Sequence, residues 1–165
     1  MKYFTKNDEI FAFDDEQLHL VTDDMTEIDA DELSNRLAPS KSELQAQVWE
    51  RIKQKRHDNA RGGVYIKSIG KWFHNDDPTR AQYLAMQIMP KLPDDLMWKT
   101  MDGSFIRLTK EILMQVAMTM MTQEQSDFAN AERHRQLMLK AENPLEYDYS
   151  SGWSAVYGDK EHSND

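Results

Sequence analysis

Apolar residues recur at helical spacing in two long stretches of the chain. In the first, Leu44, Val48 and Ile52 are four residues apart, and the positions between them are mostly Gln, Glu, Lys and Arg. This pattern is typical of an amphipathic helix that buries one face. We therefore predict a helix over about 41–60, ended by the two glycines that follow it.

The second stretch has the longer periodic pattern. Apolar side chains keep a helical rhythm from Ile112 to Met138, and neither Gly nor Pro interrupts residues 110–142. At 1.5 Å per residue such a helix is roughly 50 Å long, which exceeds the width of a small domain. We therefore expect it to project, to break near 123–127, or to pair with the helix at 41–60.

Near the N-terminus the pattern changes to short aromatic runs. Residues 3–4 and 10–13 flank a polar turn that contains Asn and Asp, which is a β-hairpin signal. Residues 17–22 alternate in side-chain character and are predicted to form a third strand. A short helix capped by Thr26 or Asp29 follows. This part of the chain is therefore predicted to be a small β-rich unit.

The middle of the chain combines further hairpins with a helix-start signal. One turn separates two apolar runs within 64–73, and Asp102-Gly103 lies between two β-prone runs. Asp77 is predicted to cap a helix that has Pro78 at its first position. The sequence thus predicts an α+β fold, in which small antiparallel β-hairpins form one sheet and pack with the two longer helices.

Charge is distributed unevenly along the 165 residues, whose formal net charge is −9. Residues 1–40 contain 11 acidic and 3 basic residues, whereas 41–147 contain 14 acidic and 16 basic residues. Such a shift in composition marks domain boundaries. We predict a small acidic β-rich unit over 1–39, an α+β domain over 40–153, and an acidic, flexible tail over 154–165.

Composition excludes several classes of function. The sequence contains no cysteine, which removes disulfides, thiol nucleophiles and thiolate metal sites. The acidic balance argues against a general nucleic-acid binder, because phosphate contacts need a surplus of Lys and Arg. No apolar run approaches the roughly 18 residues of a membrane span, and no secretory signal is recognisable at the start. We expect a soluble protein that binds other proteins, without nucleic-acid binding or membrane insertion.

The search for catalytic groups finds two weak candidates. His74, Asp76 and Asp77 are close enough in sequence to form a metal site, but helix capping and the helix dipole explain the two carboxylates better. Asp94 and Asp95 are adjacent carboxylates of the kind that acid–base catalysis uses, but a turn after a proline explains them better. We therefore predict no enzymatic activity, no metal and no cofactor.

Two apolar features favour contact with other proteins. Met114, Met118 and Met121 share one face of the long helix, where they either complete the core or pair with another helix, including one from a second copy of the chain. Aromatic residues near the C-terminus, among them Tyr149 and Trp153, either cover the core of their own chain or serve as interface anchors.

Several motifs in the chain resemble a known family. They are Arg61-Gly62-Gly63-Val64, Trp72-Phe73-His74-Asn75-Asp76-Asp77, Trp98-Lys99-Thr100-Met101-Asp102-Gly103 and a closing Gly152-Trp153. Together they are similar to the phage and prophage domain of unknown function 4376, over roughly 46–153. The segment before Pro39 resembles the opening of phage tail fibre and tail fibre assembly proteins more weakly. The resemblance implies a tail-associated protein and supplies no active site.

The resemblance leads us to expect a non-enzymatic bacteriophage tail protein. It would be a structural component, adaptor or attachment protein that binds a tail fibre or receptor-binding protein, made in the bacterial host cytoplasm and located in the virion tail. Alternatives are a tail fibre assembly chaperone that is absent from the mature particle, and an acidic inhibitor of a host nucleic-acid enzyme. A homo-oligomer through the long helix is a further expectation. The residues predicted to carry the interaction are Asp14, Asp15, Asp23, Asp24, Tyr149, Trp153 and Tyr157.

Overall fold

The computed structural model describes residues 1–159 and has an α+β fold, as the sequence predicts. Contacts divide the chain into two compact units, Met1–Glu43 and Leu44–Asp165, which we call unit 1 and unit 2. The elements that begin in unit 1 are strands β1 (Lys2–Lys6), β2 (Glu9–Phe13) and β3 (Thr26–Ile28) and helices α1 (Ala30–Leu37) and α2 (Lys41–Asn59). Unit 2 continues with β4 (Val64–Ile66), β5 (Lys71–Phe73), α3 (Asp77–Ile88), β6 (Met97–Lys99), β7 (Phe105–Arg107) and α4 (Lys110–Lys140).

Unit 1 contains a three-stranded antiparallel sheet with the strand order β2-β1-β3. The turn between β1 and β2 places Asn7 and Asp8 at positive φ, 52° and 66°. A two-residue hairpin requires this conformation, and Asn and Asp tolerate it. Phe4 pairs with Phe11 across the two strands and is buried, as is Ile28 on β3. These side chains form the small core of the unit.

The predicted third strand over 17–22 is wrong. Leu18–Leu20 forms a single turn of 3-10 helix, and the Asp14 carboxylate accepts the N–H of Gln17 at 2.9 Å where this turn begins. Backbone N–H groups of the segment bond locally, so they do not join a ladder. β3 takes the edge position beside β1 instead.

Side-chain caps fix the starts of the first two helices. The Asp29 carboxylate accepts the N–H of Glu32 at 2.8 Å and caps α1. At the start of α2, the N–H of Ser40 donates to the Glu43 carboxylate at 2.7 Å, and the N–H of Glu43 donates to Ser40 Oγ at 3.3 Å. This reciprocal pair is a capping box. The predicted helix over about 41–60 is confirmed.

The cap of helix α3 differs from the prediction by one residue. The Asp76 carboxylate accepts the N–H of Thr79 at 2.9 Å, so Asp76 is the N-cap and the assignment of Asp77 to this role is wrong. Asp77 is the first helical residue, and its carboxylate pairs with Arg61 at 2.8 Å. Pro78 therefore lies in the first turn, where its missing N–H removes no helical hydrogen bond.

Helix α4 is continuous over 31 residues, so the predicted long helix is confirmed and does not break. Thr109 caps it by accepting the N–H of Ile112 at 3.3 Å. Its C-terminal half packs on α2 through the buried residues Val48, Ile52, Ala131 and Met138, so pairing of the two long helices is the one of the three alternatives that the structure shows. Within residues 1–159, neither α4 nor any other helix is both long and apolar enough to cross a membrane.

The two hairpins of unit 2 form separate two-stranded sheets, β4-β5 and β6-β7, so the predicted single sheet is wrong. Strand β5 pairs with β4 and contacts the second hairpin at the β6–β7 turn, where the N–H of Met101 donates to the carbonyl oxygen of Trp72 at 2.9 Å. The hairpins and α3 pack on one side of the N-terminal half of α4. The core that they form there consists of Val64, Ile66, Phe73, Tyr83, Leu108, Leu113 and Val116.

Candidate interaction surface

The C-terminal segment, which we define as residues 147–159, is held on α2 and α4 by buried polar side chains. Asp127 on α4 is 1% exposed. Its carboxylate oxygens accept from Asn59 Nδ2 at 2.9 Å and from the N–H of Ser154 at 2.7 Å. Asn59 Nδ2 also donates to the carbonyl oxygen of Ser154 at 2.7 Å. These donors compensate the lost hydration of a buried carboxylate, and they fix the segment in place.

His134, two turns further along α4, extends this network. Its Nδ1 is 2.8 Å from the Tyr147 hydroxyl and its Nε2 is 2.8 Å from the carbonyl oxygen of Ser151. The 2.8 Å contact with a carbonyl oxygen, which only accepts, favours a proton on Nε2 over the longer 3.3 Å contact of the same nitrogen with the Arg133 guanidinium, and Nδ1 then accepts from Tyr147. The Trp153 ring lies nearly parallel to the imidazole, with 5.9 Å between centroids. His134 thus holds the segment through both ring nitrogens and one ring face.

Two glycines allow the C-terminal segment to approach the helices closely. Gly152 has a φ of +79°, and a Cβ there would lie 2.6 Å from Asn130 Oδ1. A Cβ on Gly62 would lie 2.3 Å from a side-chain carbon of Val156. Both glycines belong to the motifs that carry the family resemblance. Those motifs therefore mark the positions where the segment closes on the rest of unit 2.

The three aromatic residues predicted as interface anchors lie in this segment and differ in exposure. Tyr149 and Trp153 are half-buried against the core between α2 and α4, and Trp153 Nε1 donates to the carbonyl oxygen of Tyr149 at 2.7 Å. Tyr157 is 43% exposed. Its ring packs edge-to-face against the ring of Trp72, with 6.0 Å between the two ring centroids. Tyr157 therefore offers the largest accessible fraction to a partner.

The predicted tail over 154–165 is described only in part. The N–H of Tyr157 donates to the carbonyl oxygen of Gly62 at 2.8 Å, and the N–H of Val156 donates to the Asp159 carboxylate at 2.9 Å. Residues 160–165 lie outside the described residues. The described part of the tail is thus hydrogen-bonded to unit 2 and continues the C-terminal segment.

The four aspartates predicted for docking are exposed on unit 1, and two of them have structural contacts. The Asp14 carboxylate accepts backbone N–H groups of its own turn. Asp24 pairs with Lys6 at 2.6 Å, and the hydrogen bond from Lys6 holds the pKa of that carboxyl below its ordinary value. Asp15 and Asp23 form no hydrogen bond or ion pair within the described part of the chain. Their carboxylates are therefore the ones available to a partner.

The motif Trp98-Lys99-Thr100-Met101-Asp102-Gly103 has a structural explanation in the β6–β7 turn. The Asp102 carboxylate accepts from Lys71 Nζ at 2.6 Å and from the hydroxyls of Thr100 and Ser104 at 2.7 Å each. The bond from Lys71 is the main reason why the pKa of Asp102 is well below its ordinary value, and the two hydroxyls add to the effect. This carboxylate stabilises the turn and connects it to β5.

One exposed surface of unit 2 is apolar, and helices α3 and α4 form it. Its large side chains are between 54% and 85% exposed. We call this surface the apolar face, and its members are Leu84, Ile88, Met114, Met118, Met121 and Phe128. A shallow groove of about 300 Å³ lies between the two helices, and Leu84 and Met121 are among the residues that line it. Apolar patches of this kind are typical of surfaces that contact other proteins.

Polar contacts at both ends hold the two helices of the apolar face antiparallel. Near the start of α4, Lys110 Nζ donates to the carbonyl oxygen of Gln87, at the end of α3, at 2.9 Å. Near the start of α3, Arg80 pairs with Glu124 on α4. Between these ends Tyr83 is buried, its hydroxyl donates to a backbone carbonyl, and burial raises its pKa. The apolar face is therefore carried by a rigid helix pair.

Arginine side chains surround a cleft of about 300 Å³ at the end of α2. Arg80 donates to two backbone carbonyl oxygens at 2.6 Å, and Arg61 pairs with Asp77. The Arg56 guanidinium lies over the ring of Phe128, 4.5 Å from its centroid. Most of the positive charge around this cleft is thus engaged with the fold itself, and Arg56 borders the apolar face.

The residues considered for metal binding or catalysis have structural contacts. Within the part of the chain that the structure describes, no three His, Asp or Glu side chains are placed to hold a metal ion together. Asp76 caps α3, and the carbonyl oxygen of His74 accepts the Tyr83 hydroxyl at 2.9 Å. Asp94 pairs with Lys91 at 2.9 Å on the surface.

Sequence reasoning missed the buried polar residues that hold the C-terminal segment. Asp127 and His134 are separated by seven positions, and Ala131 and Met138 lie at four-residue steps from them. The four side chains therefore share one helix face, which the structure buries. The signal in the sequence was the presence of two polar residues, Asp127 and His134, on a helix face that is otherwise apolar, which indicates buried polar groups with hydrogen-bond partners. Their partners on α2 and in the C-terminal segment are distant in sequence.

Comparison with known proteins identifies a family for most of unit 2. A family model described as "Domain of unknown function (DUF4376)" matches residues 43–151, which confirms the predicted family and its approximate range. No curated protein and no solved structure matches the chain. The match begins where unit 1 ends. The resemblance of the N-terminal segment to tail fibre proteins therefore stays a prediction.

Proposed function

The chain belongs to the family of the domain of unknown function 4376, and from this premise we propose that it is a non-enzymatic, bacteriophage tail-associated structural protein. Its proposed role is that of an adaptor or attachment component that binds a tail fibre or a receptor-binding protein. Its proposed location is the virion tail. An adaptor needs one contact that holds it in the assembly and a second contact that holds the fibre.

The apolar face is the observation that carries this proposal. Six large apolar side chains on α3 and α4 are at least 54% exposed, although burying such side chains is the main driving force of folding and association. Met is abundant on this surface, and Met suits adaptable protein contacts because its side chain is flexible and polarizable. The apolar face is therefore the proposed contact within the assembly.

The exposed carboxylates of unit 1 are the proposed contact with the fibre. Asp15 and Asp23 lie in connecting segments of unit 1 and form no ion pair within residues 1–159. Charges of one sign on a docking surface increase the rate of encounter with a partner of opposite charge. A fibre or receptor-binding protein with a basic docking region is the partner that this surface fits.

Four further carboxylates of unit 1 weigh against the alternative of an acidic enzyme inhibitor. Imitation of a phosphate backbone needs many carboxylates free on one surface. Asp24 and Glu27 pair with lysines, Glu32 pairs with an arginine, and Asp29 caps α1. These groups serve the fold of unit 1.

Mass spectrometry of purified virions tests the proposed function, together with co-purification of the fibre from infected cells. We expect to find the chain in finished particles at a stoichiometry comparable to that of the fibre. Its abundance should be well above that of host cytoplasmic proteins, which serve as the measure of contamination. A chain that co-purifies with the fibre but is missing from particles would instead be an assembly chaperone. Absence from both preparations would refute the proposal.

A further inference from the structure

Strand β2 leaves one edge of the sheet in unit 1 unpaired. The sheet has the order β2-β1-β3, so β2 pairs with β1 along one side only. Lys6 and Glu9 flank the two-residue turn, and residues in these positions form a hydrogen-bonded pair. Because such pairs alternate along a hairpin, the backbone of Phe11 bonds to β1, whereas the backbones of Ile10 and Ala12 face outwards. The outer edge of β2 therefore presents two N–H donors and two carbonyl acceptors.

These outward backbone groups are available to a partner. Among residues 1–159, neither the N–H nor the carbonyl oxygen of Ile10 or Ala12 forms a hydrogen bond outside the β1–β2 pairing. Ala12 is exposed and Ile10 is half-buried, so the edge is accessible to solvent. Unpaired groups along an extended strand are a template on which another strand can pair.

Edge strands usually carry features that prevent such pairing, and β2 lacks them. A bulge, a proline or a lysine in the strand serves this purpose. β2 pairs with β1 over five consecutive residues without a bulge, and its sequence contains neither Pro nor Lys. The other edge strand, β3, has only three residues, and its central Glu27 pairs with Lys2. β2 is thus the edge that is open to an added strand.

One face of β2 also offers apolar contact to a new neighbour. The rings of Phe11 and Phe13 lie nearly parallel with 6.5 Å between centroids, and Phe4 on β1 packs against Phe13 edge to face. Phe4 is buried, whereas Phe11 and Phe13 are only half-buried. In an antiparallel pair, the residue opposite Phe11 would belong to a non-hydrogen-bonded pair, in which side chains are closest. A β-branched residue there makes a favourable cross-strand contact with the ring.

Charge selects the partner that fits this edge. Residues 1–40 contain 11 acidic and 3 basic residues, so a second copy of the chain would bring like charge against like. Glu9 at the start of β2, and Asp15 and Glu16 just beyond its end, are exposed and form no ion pair within the described part of the chain. Carboxylates thus flank both ends of an open edge that spans roughly 17 Å. A strand with a cation at each end is complementary to this arrangement.

We propose that an extended segment of the partner protein, β-branched in its centre and basic at both ends, adds to the sheet as a fourth strand beside β2. This inference rests on the proposed docking of a fibre or receptor-binding protein at unit 1, and it specifies the form of that contact. Backbone hydrogen bonds to Ile10 and Ala12 supply affinity, and the Phe11 ring and the flanking carboxylates supply specificity. The strand order becomes partner-β2-β1-β3.

Amide hydrogen exchange, followed by NMR on the full chain, tests the position of the added strand. The probe is the acetylated and amidated peptide Lys-Val-Thr-Val-Thr-Val-Lys, whose central residue faces Phe11 in the antiparallel register. We expect exchange at Ile10 and Ala12 to slow by about tenfold or more at saturating peptide, because both N–H groups become hydrogen-bonded. Exchange at Phe11 should change less, since its N–H already bonds to β1. Unchanged exchange at Ile10 and Ala12, or no saturable binding up to about 5 mM peptide, would overturn the proposal.

Two altered peptides separate backbone pairing from charge without changing the protein. In Lys-Val-Pro-Val-Pro-Val-Lys, the residues opposite Ile10 and Ala12 lack an N–H, so binding should weaken by about tenfold or more. Glu-Val-Thr-Val-Thr-Val-Glu keeps the hydrogen bonds and reverses the end charges. It should bind about tenfold more weakly at low salt, and the difference should shrink at high salt. Equal affinity of the proline peptide would refute strand addition, and equal affinity of the glutamate peptide would refute the basic partner.

The variant Ala12→Pro tests the same edge from the side of the protein. It removes an outward N–H and leaves the hydrogen bonds between β1 and β2 in place, because the Ala12 N–H takes no part in them. Ala12→Thr retains the N–H and is the matched control, and circular dichroism checks that both variants are folded. We expect the fibre or receptor-binding protein to bind Ala12→Pro about tenfold more weakly than Ala12→Thr.

The outcomes distinguish strand addition from the proposed function. Equal binding of the fibre to Ala12→Pro and Ala12→Thr would refute strand addition and leave docking at unit 1 intact. A fibre that does not bind the parent chain at all would count against the proposed function itself, and the peptide experiments would then still decide whether the β2 edge accepts a basic strand.

Discussion

At the residue scale, Asp127 connects α4, α2 and the C-terminal segment through a single side chain. In the variant Asp127→Asn, one oxygen becomes an NH₂ group that faces the donor of Asn59 or Ser154. A buried donor then lacks an acceptor, so we expect the free energy of unfolding to fall by about 1–3 kcal/mol. Urea titration measures the change. Glu142→Gln makes the same charge change at an exposed position, so its free energy of unfolding should stay within about 0.5 kcal/mol of that of the parent. Equal losses of stability in both variants would contradict the proposed role of the Asp127 hydrogen bonds.

Asp102 provides a prediction on pH. Its folded-state pKa is lower than its ordinary value, mainly because of Lys71, so the ionised carboxylate stabilises the fold. The contribution is complete above the ordinary Asp pKa of about 3.9 and is lost as the pH falls towards the lower folded-state pKa. Asp102→Asn should therefore be less stable than the parent at pH 7, and this difference should shrink as the pH falls below about 4.

Denaturant titrations at several pH values between neutral and strongly acid measure this difference. Asp95→Asn is the matched control, because Asp95 is exposed and forms no ion pair within the described residues. The stability difference between Asp95→Asn and the parent should depend little on pH. A difference for Asp102→Asn that is constant across the series would exclude the ionised Asp102 as a stabilising contact.

At the element scale, the C-terminal segment closes on α4 because Gly152 has no side chain. A Cβ at this position would lie 2.6 Å from Asn130 Oδ1, and the backbone has a positive φ. We expect Gly152→Ala to lower the melting temperature and to make the segment sensitive to proteolysis, since both strain and a clash oppose closure. Thermal unfolding and limited proteolysis measure these effects.

Gly158→Ala is the control for this prediction. Gly158 also has a positive φ, 96°, but a Cβ there would meet nothing within 4 Å. The substitution therefore introduces backbone strain without the clash. It should have a clearly smaller effect on the melting temperature than Gly152→Ala. Equal changes in melting temperature for the two variants would mean that the clash with Asn130 does not contribute to the effect of Gly152→Ala.

The elements differ in how well the sequence predicts them. Helices α2 and α4 follow directly from their apolar periodicity, and the turn residues Asp102-Gly103 locate the β6–β7 hairpin, because both signals are local. The sequence predicted the N-cap of α3 one residue too late, at Asp77 instead of Asp76, because both positions carry an aspartate that can cap a helix. Within the alternating residues 17–22, Leu18–Leu20 forms a 3-10 turn instead of a strand, because Asp14 accepts the backbone N–H of Gln17 where this turn begins.

At the scale of the whole molecule, the separation of charge between unit 1 and unit 2 determines how the chain would dock. We expect the double variant Asp15→Asn, Asp23→Asn to bind the fibre protein several-fold more weakly at low salt, because attractive charge is lost. The effect should diminish at high salt, where surface charges are screened. Calorimetry or surface plasmon resonance at two salt concentrations measures it.

The variant pair Glu142→Gln, Glu146→Gln is the matched control for this docking prediction. It removes the same charge from exposed positions in unit 2 and should leave fibre binding unchanged at both salt concentrations. Asp14 and Asp24 are left intact, because they hold their own turn and Lys6. An equal loss in both double variants would mean that only net charge matters, and not the position of Asp15 and Asp23.

The sequence by itself determined the fold class, the two long helices, most hairpins, the family and the uneven charge, because each is encoded in local spacing or in motifs. Only the tertiary structure decided that Tyr149 and Trp153 pack on their own chain and that Met121 stays exposed. Burial depends on which elements meet, and Asn59 and Ser154, the residues that meet at Asp127, are far apart in sequence. A periodic stripe predicts that a helix has an apolar face, and only packing decides whether that face is covered.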